Sequence, residues 1–242
     1  MEEKKTNLVS GKLYLIPTPL GDGAPLEVLP ISVKWAIENI DHYIAESEKT
    51  ARRFIKRISA SKSQPDLDFR ALNKFTPLEE VATYLEPCIS GIDVGLLSEA
   101  GCPGIADPGA EVVRLAHSKK IKVIPLVGPS SILMAMMSSG FNGQNFTFNG
   151  YLPIDAQEKR VALRKLEKIS KDTGQAQIFI ETPYRNDKLF TDLVKLLKPT
   201  TLLCVATDIT LPTEAIVSKS IHEWKETGLN IHKRPSIFII QA

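Results

Sequence analysis

No run in the 242-residue sequence reaches the eighteen or so consecutive apolar residues of a membrane span. The opening stretch, "MEEKKTNLVSGK", lacks the apolar centre of a secretory signal, so the expected compartment is the cytoplasm. Cysteine is scarce. Cys88, Cys102 and Cys204 are far apart and odd in number, which indicates neither a disulfide framework nor a paired-cysteine metal site, and free thiols are expected. The four histidines, His42, His117, His222 and His232, have none of the spacings of a metal-binding helix, so no metal is expected. Charge of one sign is also lacking: 30 Lys and Arg against 28 Asp and Glu leave +2, without the bulk basic excess of many nucleic-acid binders. Neither GxGxxG after the first apolar run nor GxxxxGK[ST] occurs, so the dinucleotide-binding and P-loop readings lack their fingerprints. No internal repeat is visible.

What is present is an alternation of short apolar runs and amphipathic segments. "KLYLI" (12–16) reads as a strand stopped by Pro17-Thr18-Pro19-Leu20-Gly21-Asp22-Gly23, a segment too rich in Pro and Gly for anything but loop. Val33, Ile37 and Ile40 have helical spacing, and "HYIAE" reads as the next strand. Residues 47–58 form a predicted helix with Phe54, Ile55 and Ile58 on one face. Its other face carries a basic stripe, Lys49, Arg52, Arg53, Lys56 and Arg57. After the polar linker "SASKSQPDLD" come a short strand in "FRALNKF", a helix over 78–89 and a strand at 93–98. A helix over 111–117 with Val112, Leu115 and Ala116 inward then precedes a buried strand at 121–127.

The loop that follows the strand at 93–98, "EAGCPGIADPG", holds three glycines and two prolines. In open α/β sheets, ligands sit outside the carboxyl ends of the strands, where loop amides and helix amino termini converge. Gly128-Pro129-Ser130-Ser131 repeats the device, with two hydroxyls where a helix cap would stand. Beyond it the pattern changes. "NFTFNGYLP" alternates like a half-exposed strand, and a helix over 155–171 turns Ala162, Leu166 and Ile169 inward. "AQIFIETP", "TLLCVATD", "EAIVSKS" and "PSIFIIQA" are four further strands, with helices near 184–197 and 221–226. The expected fold is α/β in two domains, 1–127 with a mostly parallel sheet and 128–242 with a mixed α+β sheet.

Four segments taken together, Pro17 to Gly21, Ser98 to Gly109, Gly128 to Ser131 and Glu181-Thr182-Pro183-Tyr184-Arg185, resemble the tetrapyrrole methylase superfamily. Within it they are most similar to the 16S ribosomal RNA ribose 2′-O-methyltransferases, in order and over nearly the whole chain. The resemblance implies an S-adenosylmethionine-dependent methyltransferase, usually a homodimer, with the cofactor in a cleft between the two domains. It implies cofactor contacts from Pro19, Leu20 and Gly21, and from Cys102, Pro103, Gly104, Ile105, Ala106 and Asp107. Further contacts are implied from Ser130 and Ser131, from Tyr151, Leu152 and Pro153, from Glu181 and Thr182, from Ala206 and Thr207, and from Pro235 and Ser236.

The match thins toward the substrate. Where the ribosomal RNA enzymes read approximately Ala-Glu-Asp-Thr-Arg-His-Thr-Arg-Arg, this chain has Ala45-Glu46-Ser47-Glu48-Lys49-Thr50-Ala51-Arg52-Arg53. Ala206-Thr207-Asp208-Ile209-Thr210-Leu211 stands where they have Ala-Arg-Glu-Leu-Thr-Lys, and the first loop has Asp22 for Asn and an added Gly23-Ala24-Pro25. If the partner is the RNA of the small ribosomal subunit, its phosphates are expected on Lys49, Arg52, Arg53 and Arg185. A ribose 2′-hydroxyl is a poor nucleophile at neutral pH, and Glu99, Glu181 and Lys49 are the candidate proton acceptors, with no single catalytic residue identified. Two other readings stay open: methylation of a tetrapyrrole or similar small molecule, and S-adenosylmethionine binding without turnover.

Overall fold

Short runs rich in Val, Ile and Leu build the first sheet. In the computed structural model, which describes residues 10–242, they are β1 (Lys12–Ile16), β2 (His42–Ala45), β3 (Asp68–Ala71), β4 (Val94–Leu97) and β5 (Lys122–Pro125). The polar opening stretch lies, through residue 9, outside the described residues. All four neighbouring pairs are parallel, in the order β3-β2-β4-β1-β5. Parallel neighbours need crossover connections. Here these contain α1 (Pro25–Val28), α2 (Ile31–Asn39), α3 (Glu48–Ile58), α4 (Leu78–Thr83), α5 (Glu86–Ile89) and α6 (Ala110–Ser118).

Because side chains alternate along a strand, successive residues of β1 feed opposite faces. Tyr14 and Ile16 join Val33, Ile37, Phe54 and Ile55 in a core under α2 and α3, whereas Leu13 joins Val81, Leu85, Val112 and Ala116 under α4 to α6. Both faces are covered, as a parallel sheet requires.

Two expectations change here. The helix expected over 78–89 is two, because Pro87 has no N–H to continue the ladder and Leu85 leaves helical geometry before it. The strand expected to be buried at 121–127 is β5, an edge strand with exposed ends, and Val127 is 77% exposed.

The chain divides into two compact units, the first ending at Pro129 and the second running Ser130–Ala242. The second opens with α7 (Ser131–Ser139), then β6 (Phe146–Tyr151), α8 (Ala156–Thr173), β7 (Ala176–Ile180) and, after a 3-10 turn at Pro183–Arg185, α9 (Asn186–Leu196). It continues with β8 (Leu202–Thr207), β9 (Ala215–Ser220), α10 (Ile221–Thr227) and β10 (Ser236–Gln241). The sheet order is β6-β7-β10-β8-β9, with β6 and β7 parallel and the other pairs antiparallel. Its core gathers Phe179, Phe190, Leu193, Trp224 and Phe238.

The buried stripe of α8 is rotated from the expected one. Leu163, Leu166, Glu167 and Ser170 face inward with Lys159, while Ala162 and Ile169 are half-buried. The polar members are each partnered: Lys159 with Asp192 at 3.0 Å, Glu167 with Lys198 N and Thr201 Oγ1, and Ser170 Oγ with the Ala242 amide. A buried charge is tolerated when paired in this way, and hydrophobic spacing alone does not reveal it. Among the described residues, no helix is long and apolar enough to cross a membrane, and no group of three or more His, Cys, Asp or Glu is placed to hold a metal ion.

Candidate functional site

In the first unit, the loops that follow β1, β4 and β5 leave the same edge of the sheet, since these strands are adjacent and parallel. They are stitched to one another. Thr18 and Gly101 exchange both main-chain bonds, at 3.0 and 3.1 Å. Thr18 Oγ1 donates to Ser98 O at 3.2 Å, and Ser98 Oγ donates to Gly101 O at 2.6 Å. A Cβ on Gly101 would come within 3.3 Å of Leu20 and Pro129 O, and one on Gly128 would lie 2.2 Å from the Pro17 ring. Glycine at 128 is thus what lets the loops after β1 and β5 touch.

Within the loop after β4, Gly101, Gly104 and Ala106 have φ of 76°, 78° and 59°, in the left-handed region that an unbranched or absent Cβ tolerates best. The Asp107 carboxylate fixes that turn by accepting from Gly104 N at 2.6 Å and Gly109 N at 2.9 Å. Burial raises its pKa, and the two amides counter that rise. Cys102 Sγ donates to Pro129 O at 3.4 Å, and burial raises its pKa, so the thiol stays protonated at neutral pH.

An open cleft of about 190 Å³ lies between the loop after β1 and α3. Pro19, Leu20, Gly21, Thr50, Arg53, Arg57 and Glu99 are in its lining. Glu99 is turned toward the amino terminus of α3, where it accepts from Thr50 Oγ1 at 2.8 and 3.0 Å and from Ser47 N at 3.2 Å. A carboxylate at that end of a helix is favoured by the unpaired amides and the helix dipole.

The basic stripe of α3 splits. Arg52 turns onto its own unit, pairing with Glu48 at 2.7 Å, donating to Gln64 O and to Leu67 O, and stacking 4.6 Å from the Phe69 ring centre. Arg57 donates to Asp22 O at 3.1 Å and Gly23 O at 2.6 Å, binding α3 to the loop after β1. Lys49, Arg53 and Lys56 are exposed.

The second unit also gathers residues at one sheet edge. β10 runs antiparallel to β7 and β8, so the start of β10 lies beside their ends, as the pairs Ser236 with Thr207 and Ile237 with Ile180 record. Tyr151, Glu181, Thr182, Ala206, Thr207, Pro235 and Ser236 therefore share that edge, with Leu152 and Pro153 directly after β6. The Thr207 and Ser236 hydroxyls are 3.1 Å apart. Asn142, just after α7, donates to Gln241 at the far end of β10, so α7 directs its amino terminus toward the same edge. There Ser130 caps α7 by accepting from Leu133 N, and Ser131 is its first residue.

Glu181 is buried, its side chain 2% exposed, and Oε1 accepts from Arg185 at 2.6 Å and from Thr182 N at 2.7 Å. Burial alone would raise its pKa. The Arg185 guanidinium and the Thr182 amide outweigh burial and hold the carboxyl below the usual range. It is consequently a weak base. Arg185, expected on phosphate, already carries this partner. A second ion pair, Arg234 with Asp208 at 2.7 Å, also lies at this edge, and Asp208 accepts from Thr213 Oγ1 as well. Spacing did not single out this pair, because its members are 26 residues apart and meet only when β8 and β10 pair.

No protein-family model matches the chain. Curated relatives are "Ribosomal RNA small subunit methyltransferase I" of Neisseria meningitidis serogroup A, 28% identical over 92% of this chain and 72% of the relative, and its Escherichia coli O157:H7 counterpart, 26% identical over 96% and 78%. Among solved structures, the methyltransferase CobJ superposes with a TM-score of 0.64 over 96% of this chain and 94% of that one, at 15% identity. Cobalt precorrin-4 methyltransferase CbiF gives 0.60 over 95% and 94%, at 16% identity. A uroporphyrin-III C-methyltransferase of Thermus thermophilus, solved with S-adenosylhomocysteine, gives 0.56 over 96% and 97%, also at 16% identity. The chain is a sequence relative of the ribosomal RNA small subunit methyltransferase I proteins and has the fold of the tetrapyrrole methylases.

Proposed function

We propose that this chain is an S-adenosylmethionine-dependent methyltransferase whose acceptor is the RNA of the small ribosomal subunit, modified at a ribose 2′-hydroxyl. It works in the cytoplasm, as a homodimer. The observation that carries the donor part is the collection of stiff loops at one sheet edge in each unit, made of the residues that the resemblance names. The RNA part is supported by the names of the sequence relatives.

The residues present fit such a donor. Gly101 and Gly104 leave the main chain of the loop after β4 bare at left-handed turns, so a ligand approaches backbone amides without side chains intervening. In the second unit, Thr182, Thr207 and Ser236 bring hydroxyls to one edge, and Oε2 of Glu181 is the carboxylate oxygen left to accept. Pro19 to Gly21, Cys102 to Asp107, Ser130 and Ser131 would hold the donor from their loops, with Tyr151 to Pro153, Glu181, Thr182, Ala206, Thr207, Pro235 and Ser236. When bound, it supplies a sulfonium methyl that is already electrophilic. The chain's task is then to hold donor and acceptor in line and to exclude water. Loops prefixed by Pro and by the Thr18–Gly101 stitch lose little freedom on binding.

Proton removal is not assigned to Glu99 or Glu181, since the first is spent on the cap of α3 and the second on Arg185. Purified protein incubated with methyl-labelled donor and small ribosomal subunits lacking the modification tests the proposal. Label in the RNA, mapped to a 2′-O-methyl nucleoside, is expected. Label in a tetrapyrrole and none in RNA would transfer the reading to a small-molecule acceptor.

A further inference from the structure

We propose that the open cleft of the first unit seats a phosphodiester group of the acceptor RNA, and that Arg53 is the side chain that holds it. The proposal rests on the methyltransferase reading above and locates its acceptor side. Apart from Arg53 and the exposed Asp22 carboxylate, which lies 4.0 Å from Arg57, the main polar side chains around the cleft are committed. Thr18 and Ser98 donate to main-chain carbonyls, Thr50 donates to Glu99, and Arg57 donates to Asp22 O and Gly23 O. Arg53 lines the same cleft and is exposed, and none of its donors enters a hydrogen bond or ion pair among the described residues. An uncommitted guanidinium beside the apolar Ala51 and Phe54 suits an anion attached to something flat and less polar. One nucleotide has that form, with a phosphate for the planar fork of Arg and a sugar and base for the apolar pair.

The surroundings favour a chain of phosphates over an isolated carboxylate. Lys49, Arg53 and Lys56 are exposed and stand four and three residues apart, hence on one face of α3 and spread over roughly 10 Å of its axis. A row of cations of that length matches a polyanion. The bonds from Glu99 to Thr50 and Ser47 fix the amino terminus of α3 against the loop after β4 and so set Arg53 over the cleft. Arg52, its neighbour, takes no part in this site, because its head group is bound within the unit.

The test is binding of the full chain to a short single-stranded RNA at several salt concentrations, with S-adenosylmethionine titrated in parallel. Arg53→Glu should weaken RNA about tenfold or more and lower the salt slope by about one. Arg53→Lys should keep the slope while losing part of the affinity. Both should bind the donor as the unaltered protein does. Unchanged RNA affinity and slope in Arg53→Glu would overturn the assignment. Donor binding without RNA binding in the unaltered protein would overturn it too, leaving the donor reading intact, whereas loss of both would show that the underlying reading had failed. Arg53-dependent binding of a polycarboxylate porphyrin in place of RNA would reject the phosphodiester.

Discussion

The loop edge of the first unit is held by main-chain bonds and close backbone approach, Thr18 to Gly101 and Gly128 to Pro17, while the edge of the second is held by ion pairs, Glu181 with Arg185 and Asp208 with Arg234. The difference follows from sheet topology. Parallel strands release every following loop at one edge, so short loops from adjacent strands meet backbone to backbone. In the mixed sheet, a strand start lies between two strand ends: the Asp208–Arg234 pair joins the loop after β8 to the segment before β10, alongside main-chain bonds from Asp208 to Pro235 and from Lys233 to Pro183, while Glu181–Arg185 braces the loop after β7 from within. The first edge should therefore answer to changes of size, and the second to changes of charge.

The largest expected effect comes from Gly128→Ala, whose Cβ must displace the Pro17 ring. A loss of about 2 kcal/mol in denaturant unfolding is expected, in line with overpacking at a tight contact. An unchanged midpoint would mean that the two loops are not rigidly apposed. Next, Arg52→Ala should cost about 1.5 kcal/mol, since it removes a stacking contact with Phe69 and bonds to two carbonyls. Arg53→Ala, one residue on, should stay within about 0.5 kcal/mol, as exposed substitutions usually do. Equal losses at 52 and 53 would remove the division of labour along α3.

The smallest effect concerns acid. Because the Glu181 carboxyl is held below its ordinary value, its contribution is complete above the unfolded carboxylate range of about 4.3 and is lost as pH falls through the depressed folded value. Stability measured by urea unfolding between neutral and strongly acidic pH should decline in that window, and Arg185→Ala should flatten the decline. The same acid slope with and without Arg185 would show that the pair does not hold Glu181 charged.

Much of the fold was legible, because strand and helix periods differ and Pro/Gly clusters mark the turns between them. The loops after β1, β4 and β5 stood out for that reason. Less visible were features created only by long-range pairing. The inward Lys159 and Glu167 of α8 look like solvent residues until Asp192 and Thr201 arrive beside them. Arg52 and Arg53 are indistinguishable in sequence, and they part because only the first reaches Phe69 on the neighbouring strand. Pro235 directly precedes β10 and Ser236 opens it, so nothing local marks them as members of a loop edge, and the resemblance alone named them.

The most direct measurement is a calorimetric titration of the purified chain with S-adenosylhomocysteine, the demethylated product. Saturable binding at one site per chain is predicted, weakened by Gly104→Val in the first unit and, separately, by Thr207→Val in the second. No binding, or binding indifferent to both changes, would contradict the account.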